Sequence, residues 1–211
     1  MATILRSLSY EYQWLYDTIS RTLALSVGGE NRFRQLALRG LPIQRDTAIL
    51  DLCCGSGQTT QFLVSRSDRV TGLDASPQSL ARARRNVPQA NYVEGWAEDM
   101  PLPDGQFDLV HSSVALHEMQ PEQLQAILRE VWRVLKPGGY CAVIDLHQPT
   151  FVPMWLGLAP FMWIFETETA WQFVRADLPQ LFTAAGFIVT QSERHAGGSL
   201  QVIQAQKPAI T

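Results

Sequence analysis

The sequence predicts an α/β fold, in which a mainly parallel sheet lies between two layers of helices. Short apolar segments with the length of strands alternate along the chain with longer helical segments, which is the order expected for a parallel sheet. The stretch 51–57, Asp-Leu-Cys-Cys-Gly-Ser-Gly, follows the first apolar segment, and Asp74 ends the second. Strand, glycine loop, helix, strand and acid in this order are typical of nucleotide-binding α/β domains.

Seven segments have the length and apolar character of strands. We predict strands at 47–52, 69–74, 91–94, 107–112, 140–146, 187–193 and 200–206. Gly197-Gly198 between the last two strands indicates a tight connection, of the kind that joins antiparallel neighbours.

Helices are predicted after Gly57 and at 77–85, 121–135 and 167–185. Pro77 and Pro121 favour two of the starts, because the first helical turn tolerates a missing N–H. The 211 residues suffice for one domain, 1–211, that buries about 70% of the surface of the unfolded chain. We divide it into a helical cap at 1–45 and a core at 46–211 that contains an apolar insertion at 147–166.

Composition and charge exclude several classes of protein. The hydrophobic content of 46% and charged content of 18% predict an ordered globule, and a net charge of −3 gives no electrostatic footprint for nucleic acid. The three cysteines show no spacing typical of zinc sites or disulfide frameworks, so we expect no metal and a reducing compartment. The first residues lack the apolar core of a secretion signal, and we expect a cytoplasmic protein.

The glycine loop discriminates between nucleotide cofactors. In the dinucleotide fingerprint a third glycine packs the helix under a pyrophosphate, but Thr60 stands at that position, which disfavours NAD. The loop fits S-adenosylmethionine, whose amino acid needs an anion site and an acceptor for its ammonium group; the loop backbone and Asp51 offer them. Asp74, at a strand tip, is expected to accept hydrogen bonds from both ribose hydroxyls.

The stretch 51–57 resembles the first motif of the class I S-adenosylmethionine-dependent methyltransferases, roughly acid-x-G-x-G-x-G, although Cys53 stands where the family usually has glycine. Three further segments resemble later landmarks of this family and follow in the usual order: 97–103, 107–110 and 135–139. The resemblance implies a Rossmann-like three-layer sandwich, a seven-stranded sheet with an antiparallel final strand, and S-adenosyl-L-methionine as the cofactor.

The resemblance also implies which residues hold the cofactor. The predicted cofactor-binding residues are Asp51, Cys53, Gly55, Ser56, Gly57, Asp74, Ala75, Ala97, Glu98 and Ser112. The backbone N–H of Ala97 is expected to pair with the adenine ring. The family often has aspartate one residue earlier for the exocyclic amine, where this chain has Trp96. Two alternatives stay open: Glu98 or Asp99 accepts from the amine, or the indole packs on the ring.

Methyl transfer from a sulfonium depends mainly on orientation and on exclusion of water. A general base is needed only when the acceptor is a hydroxyl or an acidic carbon. His117, just past the fourth predicted strand, and His147, just past the fifth, are the candidate catalytic bases, and a structural role is the alternative for each. His111 and His195 rank lower because of their positions.

Two regions outside the core should determine the acceptor. The aromatic N-terminal segment is similar to that of the ubiquinone and menaquinone biosynthesis methyltransferases, whereas 114–119, Val-Ala-Leu-His-Glu-Met, looks more like the generic small-molecule branch. The segment 151–165 contains no charged residue and is too short to span a membrane. It is either ordinary core packing or an apolar wall over the acceptor. On the second interpretation Tyr16, Trp155 and Trp163 bind substrate.

The sequence therefore predicts S-adenosylmethionine-dependent methyl transfer to a small, apolar or aromatic acceptor, with quinones and phenols as candidates. A non-catalytic S-adenosylmethionine-binding protein remains an alternative, as does a nicotinamide-dependent oxidoreductase, which Thr60 disfavours. We expect a small-molecule partner and no nucleic acid. Exposed apolar residues in 151–165 would bring peripheral membrane contact. No oligomeric state is predicted.

Overall fold

A computed structural model of the chain describes residues 24–151 and 168–209, and within them seven strands form one sheet. The strands are β1 Ala48–Leu52, β2 Arg69–Asp74, β3 Asn91–Glu94, β4 Phe107–Ser113, β5 Leu135–Leu146, β6 Ile188–His195 and β7 Leu200–Gln206. Their spatial order is β3-β2-β1-β4-β5-β7-β6. Strands β1 to β5 are parallel, and β7 is antiparallel to β5 and β6. The predicted α/β class with its antiparallel final strand is confirmed.

The helices follow the strands in the expected alternation. They are α1 Glu30–Gln35, α2 Thr60–Leu63, α3 Pro77–Asn86, α4 Pro121–Val134, α5 Glu168–Phe173 and α6 Leu178–Ala184, with 3-10 turns at Leu36–Leu38, Leu116–Glu118 and Ala196–Gly198. Both predicted proline starts are present, at Pro77 and Pro121. The Ser76 side chain caps α3 by accepting a hydrogen bond from the Ser79 N–H.

The helix predicted at 167–185 is wrong in one respect, because the structure has two helices there. The first ends at Phe173 and the second begins at Leu178. Asp177 caps the second helix by accepting from the Gln180 N–H. Pro179 has no N–H to donate to the preceding turn, so a continuous helix would lose a hydrogen bond and clash at this point. Residue 167 lies outside the described residues.

Apolar side chains cover both faces of the sheet, as expected for a parallel sheet between helical layers. On one face Leu50 and Val110 pack in a cluster with buried residues of α4, such as Ile127. On the other face Ile49 and Leu109 pack in a second cluster that includes residues of α1 and the first 3-10 turn. The side chain of Gln204 in β7 fixes that turn by donating to the backbone oxygens of Ala37 and Arg39.

The strand order places a crevice above the sheet where β1 has β2 on one side and β4 on the other. Ligands bind at such a point in open α/β sheets, outside the carboxyl ends of the strands. The helical cap predicted at 1–45 is described only from residue 24, and the apolar insertion predicted at 147–166 only to residue 151. In the described ranges, no helix has the length and apolar character needed to cross a membrane.

Candidate active site

A cleft of about 570 Å³ opens at the carboxyl ends of β1, β2 and β4. The loop after β1 forms its floor, and the start of α3 and the loop after β3 form one side. The segment after β4 forms the opposite side, and Arg34 of α1 reaches the lining from the N-terminal part of the chain. Five separate stretches of sequence therefore meet at one cleft.

The loop after β1 turns sharply because three of its residues adopt positive φ. Gly55 and Gly57 have φ values of 54° and 86°, which glycine adopts without strain, and Cys53 has a φ of 56°. A side chain in this left-handed region costs about 1–2 kcal/mol. Gly57 also packs against α3, since an added Cβ would lie 3.5 Å from Ala83. Its role in the structure is close packing of the loop, and it does not line the cleft.

Asp74 ties this loop to the end of β2. One carboxylate oxygen accepts the Gly55 N–H at 2.8 Å, and the other accepts the Ser76 N–H at 2.9 Å. Burial raises the pKa of the Asp74 carboxyl, and the two backbone hydrogen bonds oppose that shift. Each oxygen retains a second lone pair, and the side chain lines the cleft where the ribose contact is predicted.

Asp51 lies deeper in the same cleft and is almost fully buried. It accepts a hydrogen bond of 2.6 Å from the Thr60 hydroxyl, so the residue that replaces the third glycine of the dinucleotide fingerprint holds the acid in place. His111, the neighbour of Asp51 in the sheet, has its Nδ1 3.6 Å from the same carboxylate. The imidazole is buried, and neither ring nitrogen has a hydrogen-bond partner in the part of the chain that the structure describes.

Most of the predicted cofactor-binding residues lie around this cleft. The lining includes Asp51, Cys53, Gly55, Ser56, Asp74, Ala75, Ala97 and Glu98. Ser112 is not among the lining residues, because its side chain is buried in the sheet, whereas its neighbour Ser113 reaches the cleft. Successive side chains of a strand point to opposite faces, which accounts for the difference of one residue.

The predicted adenine region lies at the rim of the cleft. Ala97 is buried, and the indole of Trp96 lines the cleft while 63% of the residue remains exposed. One carboxylate oxygen of Glu98 accepts from the Gln123 side chain at 2.8 Å. Asp99 is exposed and does not belong to the lining. Of the two acids considered for the exocyclic amine, only Glu98 lines the cleft.

Arg34 is a site residue that the sequence interpretation missed. Its guanidinium is buried and donates to the hydroxyls of Ser113 at 3.3 Å and Thr59 at 3.5 Å, and to the side chain of Gln58. Glu30, one turn earlier in α1, lies 3.8 Å away. The spacing in the sequence offered a signal, because residues four apart in a helix share a face and Arg34 stands four residues before Leu38. The structure shows that Leu38 is fully buried.

The two predicted bases occupy different settings, and neither lines the cleft. His117 is buried in the 3-10 turn after β4, and its Nδ1 lies 2.6 Å from a carboxylate oxygen of Asp145. The other oxygen of Asp145 accepts the N–H groups of Ala115 and Leu116, which fixes the turn on β5. The sequence interpretation did not single out Asp145.

His147 contacts the turn between β6 and β7 instead. Its Nδ1 lies 2.7 Å from the Gln148 carbonyl oxygen and 3.0 Å from that of Gly198, so this nitrogen carries the proton and donates. The backbone N–H of His147 donates to Ser199 in the same turn. The imidazole thus joins the end of β5 to the β6–β7 connection.

The predicted substrate-binding residues Tyr16, Trp155 and Trp163 lie outside the described residues. Among residues 24–151 and 168–209, no three His, Cys, Asp or Glu side chains are grouped as a metal site would require.

Comparison with known proteins relates the chain to one enzyme family. Residues 49–139 match the family model described as a methyltransferase domain. An uncharacterized methyltransferase of Synechocystis sp. is 57% identical over 98% of this chain and 97% of its own length. A demethylmenaquinone methyltransferase of Listeria monocytogenes is 28% identical over 87% of each chain.

Among solved structures, a TehB-like S-adenosylmethionine-dependent methyltransferase from Corynebacterium glutamicum superposes with a TM-score of 0.66. The likeness covers 91% of this chain and 96% of that protein at 18% identity, so it bears on the fold.

Proposed function

We propose that the chain, which belongs to the S-adenosylmethionine-dependent methyltransferase family, transfers a methyl group to a small, apolar acceptor of the quinol or phenol class. The family assignment rests on the 57% identical relative. S-adenosyl-L-methionine is the cofactor of this family, and its sulfonium supplies the electrophilic methyl group. The observation that carries the proposal is the cleft, where an acid, a buried guanidinium and a strand-tip carboxylate surround the glycine loop.

The charges of the cleft fit the amino-acid end of the cofactor. We assign the carboxylate to Arg34 and the ammonium to Asp51, which line the cleft and are bonded to the adjacent residues Thr59 and Thr60. A buried guanidinium binds carboxylates strongly, because its donors are charged and fixed in a plane. Both groups are held before a ligand arrives, so little ordering is required on binding.

The nucleoside end fits the other half of the cleft. Asp74 accepts hydrogen bonds from the ribose hydroxyls through the lone pairs that its two backbone hydrogen bonds do not use. The Ala97 N–H pairs with the adenine, and the Trp96 indole lies over the ring as an aromatic cover. In this arrangement the Trp96 indole packs on the adenine ring, and Glu98, the candidate acid that lines the cleft, accepts from the exocyclic amine.

Of the two predicted bases, we propose His117 for an acceptor that must lose a proton, because its turn contributes Ala115 and Glu118 to the cleft lining. Asp145 holds Nδ1 of the imidazole and so fixes the orientation of the ring. The same carboxylate stabilises the imidazolium that forms, as an orienting acid does in other base pairs of this type. The ring is buried and lies against Phe173 of α5, at a centroid distance of 6.4 Å.

The acceptor class is supported by two observations. Relatives at 28% identity are demethylmenaquinone methyltransferases, whose name specifies a quinone-type substrate. The uncharged sequence 151–165, of which Phe151 is described and exposed, supplies aromatic side chains close in sequence to β5. The nicotinamide alternative is not retained, because the chain belongs to a methyltransferase family and Thr60 bonds to Asp51 where the dinucleotide loop has glycine.

The test combines calorimetry with turnover. Purified protein is titrated with S-adenosylmethionine, S-adenosylhomocysteine and NAD, and then incubated with labelled cofactor and a panel of quinols, phenols and polar amines. We expect binding of both S-adenosyl compounds but not of NAD, and methylation confined to the apolar acceptors. Binding of the cofactor without methylation of any acceptor would favour the non-catalytic alternative.

The histidines provide a matched pair of variants. His117→Gln should lower turnover on a hydroxyl acceptor by about 100-fold or more while cofactor affinity stays unchanged, because a general base acts only in the transition state. His147→Gln serves as the control, since its imidazole contacts the β6–β7 turn, which contributes no residue to the cleft lining. Equal turnover of the two variants would contradict the role of His117.

A further inference from the structure

The 3-10 turn after β4 carries a second ionisable side chain, Glu118, which lies on the cleft side of the turn. We propose that the Glu118 carboxylate faces the sulfonium of the bound cofactor and makes the cleft prefer S-adenosylmethionine over the demethylated product. Glu118 is then a specificity-determining residue for the two forms of the cofactor. The inference rests on the proposed function of the cleft.

The position of Glu118 is set by its turn. The turn begins at Leu116, whose N–H is bound by the buried carboxylate of Asp145, and the Glu118 N–H donates to Ala115 at 3.2 Å. From this turn His117 contacts Asp145, and the partly buried Glu118 lines the cleft together with Met119. A carboxylate on such a fixed turn needs little reorganisation to meet a charge in the cleft.

Glu118 lies within electrostatic range of the glycine loop. Burial raises the pKa of the Cys53 thiol, and the negative charges of Asp74 and Glu118 raise it further. Glu118 also contributes to the raised pKa of Asp74, although burial is the main cause there. In the proposed binding mode Cys53 lies beside the methionine part of the cofactor, whose sulfur joins the amino acid to the ribose. The charge of Glu118 therefore acts near the sulfur.

The charge balance of the cleft supports the same role. The ionisable lining residues are the acids Asp51, Asp74, Glu98 and Glu118 and the bases Arg34 and Arg82. Arg34 and Asp51 match the zwitterionic amino acid, and Glu98 is bonded to Gln123. The lining therefore carries four acids against two bases, and a cleft with an excess of one sign of charge concentrates ligands of the other sign.

The reaction removes the charge that Glu118 attracts. The lone pair of the acceptor forms the new bond to the methyl carbon, and the electron pair of the broken carbon–sulfur bond stays on sulfur. The sulfur becomes neutral, so the attraction to Glu118 ends with the transfer. The product is therefore held less tightly than the substrate at this point of the cleft.

The test compares Glu118→Gln with Glu122→Gln, an exposed acid of α4 outside the cleft lining, by calorimetry. The probes are S-adenosylmethionine, S-adenosylhomocysteine and sinefungin, which carries an amine where the cofactor has its sulfonium. We expect Glu118→Gln to lower the affinity for the two cationic ligands roughly 5- to 10-fold, because solvent in the open cleft screens part of the electrostatic attraction. The affinity for S-adenosylhomocysteine should change by less than about twofold. Glu122→Gln should leave all three affinities unchanged.

Equal losses for all three ligands, or no loss for any, would overturn the role of Glu118 while leaving the proposed function intact. If wild-type protein binds none of the three, both proposals fail. A second measurement uses the wild-type protein and so does not depend on the folding of a variant. Added salt should lower the affinity for S-adenosylmethionine more steeply than the affinity for S-adenosylhomocysteine. Parallel salt dependences would count against the carboxylate.

Discussion

Two acids at strand ends, Asp74 of β2 and Asp145 of β5, look alike but serve different purposes. Asp74 accepts two backbone N–H groups and lines the cleft. Asp145 is fully buried and accepts the N–H groups of Ala115, Leu116 and Leu146 as well as contacting His117. A carboxylate with lone pairs left over in a cleft can serve a ligand, whereas one whose oxygens are used within the fold holds structure.

The largest effect is expected from Asp145→Asn, which places an amide NH₂ where one of the two carboxylate oxygens now accepts. In either orientation of the amide, a buried N–H group that now bonds to Asp145 would lose its acceptor, and we expect the free energy of unfolding to fall by about 3 kcal/mol or more. Urea denaturation followed by circular dichroism measures this. Asp104→Asn is the control, because its ion pair with Arg133 is exposed and should contribute less than about 1 kcal/mol. Similar losses of unfolding free energy in both variants would contradict the structural role of Asp145.

Asp74→Ala is expected to give the opposite pattern, a large loss of binding with a smaller loss of stability. Charged hydrogen bonds contribute about 1.5–3 kcal/mol each, so affinity for S-adenosylhomocysteine should fall at least tenfold. Calorimetry measures the affinity, and Asp68→Ala, an exposed acid before β2, is the control. An unchanged dissociation constant would show that Asp74 serves the fold alone and resembles Asp145.

Arg34→Gln extends the comparison to the cation of the cleft. If Arg34 binds the cofactor carboxylate, the variant should lose about tenfold in affinity for S-adenosylhomocysteine, the value of one charge-assisted contact. Adenosine, which has no carboxylate, should bind both proteins equally. Arg32→Gln changes an exposed arginine of the same helix and should have no effect. Equal weakening of adenosine would indicate a structural role instead.

The smallest effect concerns the strained loop that Asp74 holds. Cys53→Gly and Cys53→Ala both remove the thiol, but only glycine relieves the positive φ of 56°. The glycine variant should therefore be more stable than the alanine variant by about 1 kcal/mol. Thermal denaturation of the two proteins compares them. A more stable alanine variant would mean that the loop is not under strain at this residue.

Local patterns in the sequence predict the sheet and the cleft well. The bounds of β2, β3 and β7 agree with prediction to the residue, because apolar runs and their flanking turn residues are properties of short segments. The glycine loop and Asp74 follow from spacing for the same reason. One predicted strand began at 140, whereas β5 begins at Leu135, where it pairs with Phe107 before a break in register.

What the sequence did not reveal depends on distant contacts. Asp145 stands in an apolar run, and its partner His117 is 28 residues away in the chain. Arg34 meets Ser113 across 79 residues. Ser112 and Ser113 point to opposite faces of the sheet. An error of one residue in the predicted strand would exchange the faces assigned to the two serines. Such roles follow from register and packing, and no local pattern records them.

Helix α1 is joined to the cleft by Arg34 and to the sheet through the turn that follows the helix. Beside it, Gln204 of β7 binds the backbone that follows α1, and Arg34 within it reaches the cleft lining. A ligand held by Arg34 adds its binding free energy to the docking of this helix, since any ligand stabilises the state that binds it. Occupancy of the cleft should therefore slow amide hydrogen exchange in Glu30–Gln35, far along the chain from the glycine loop.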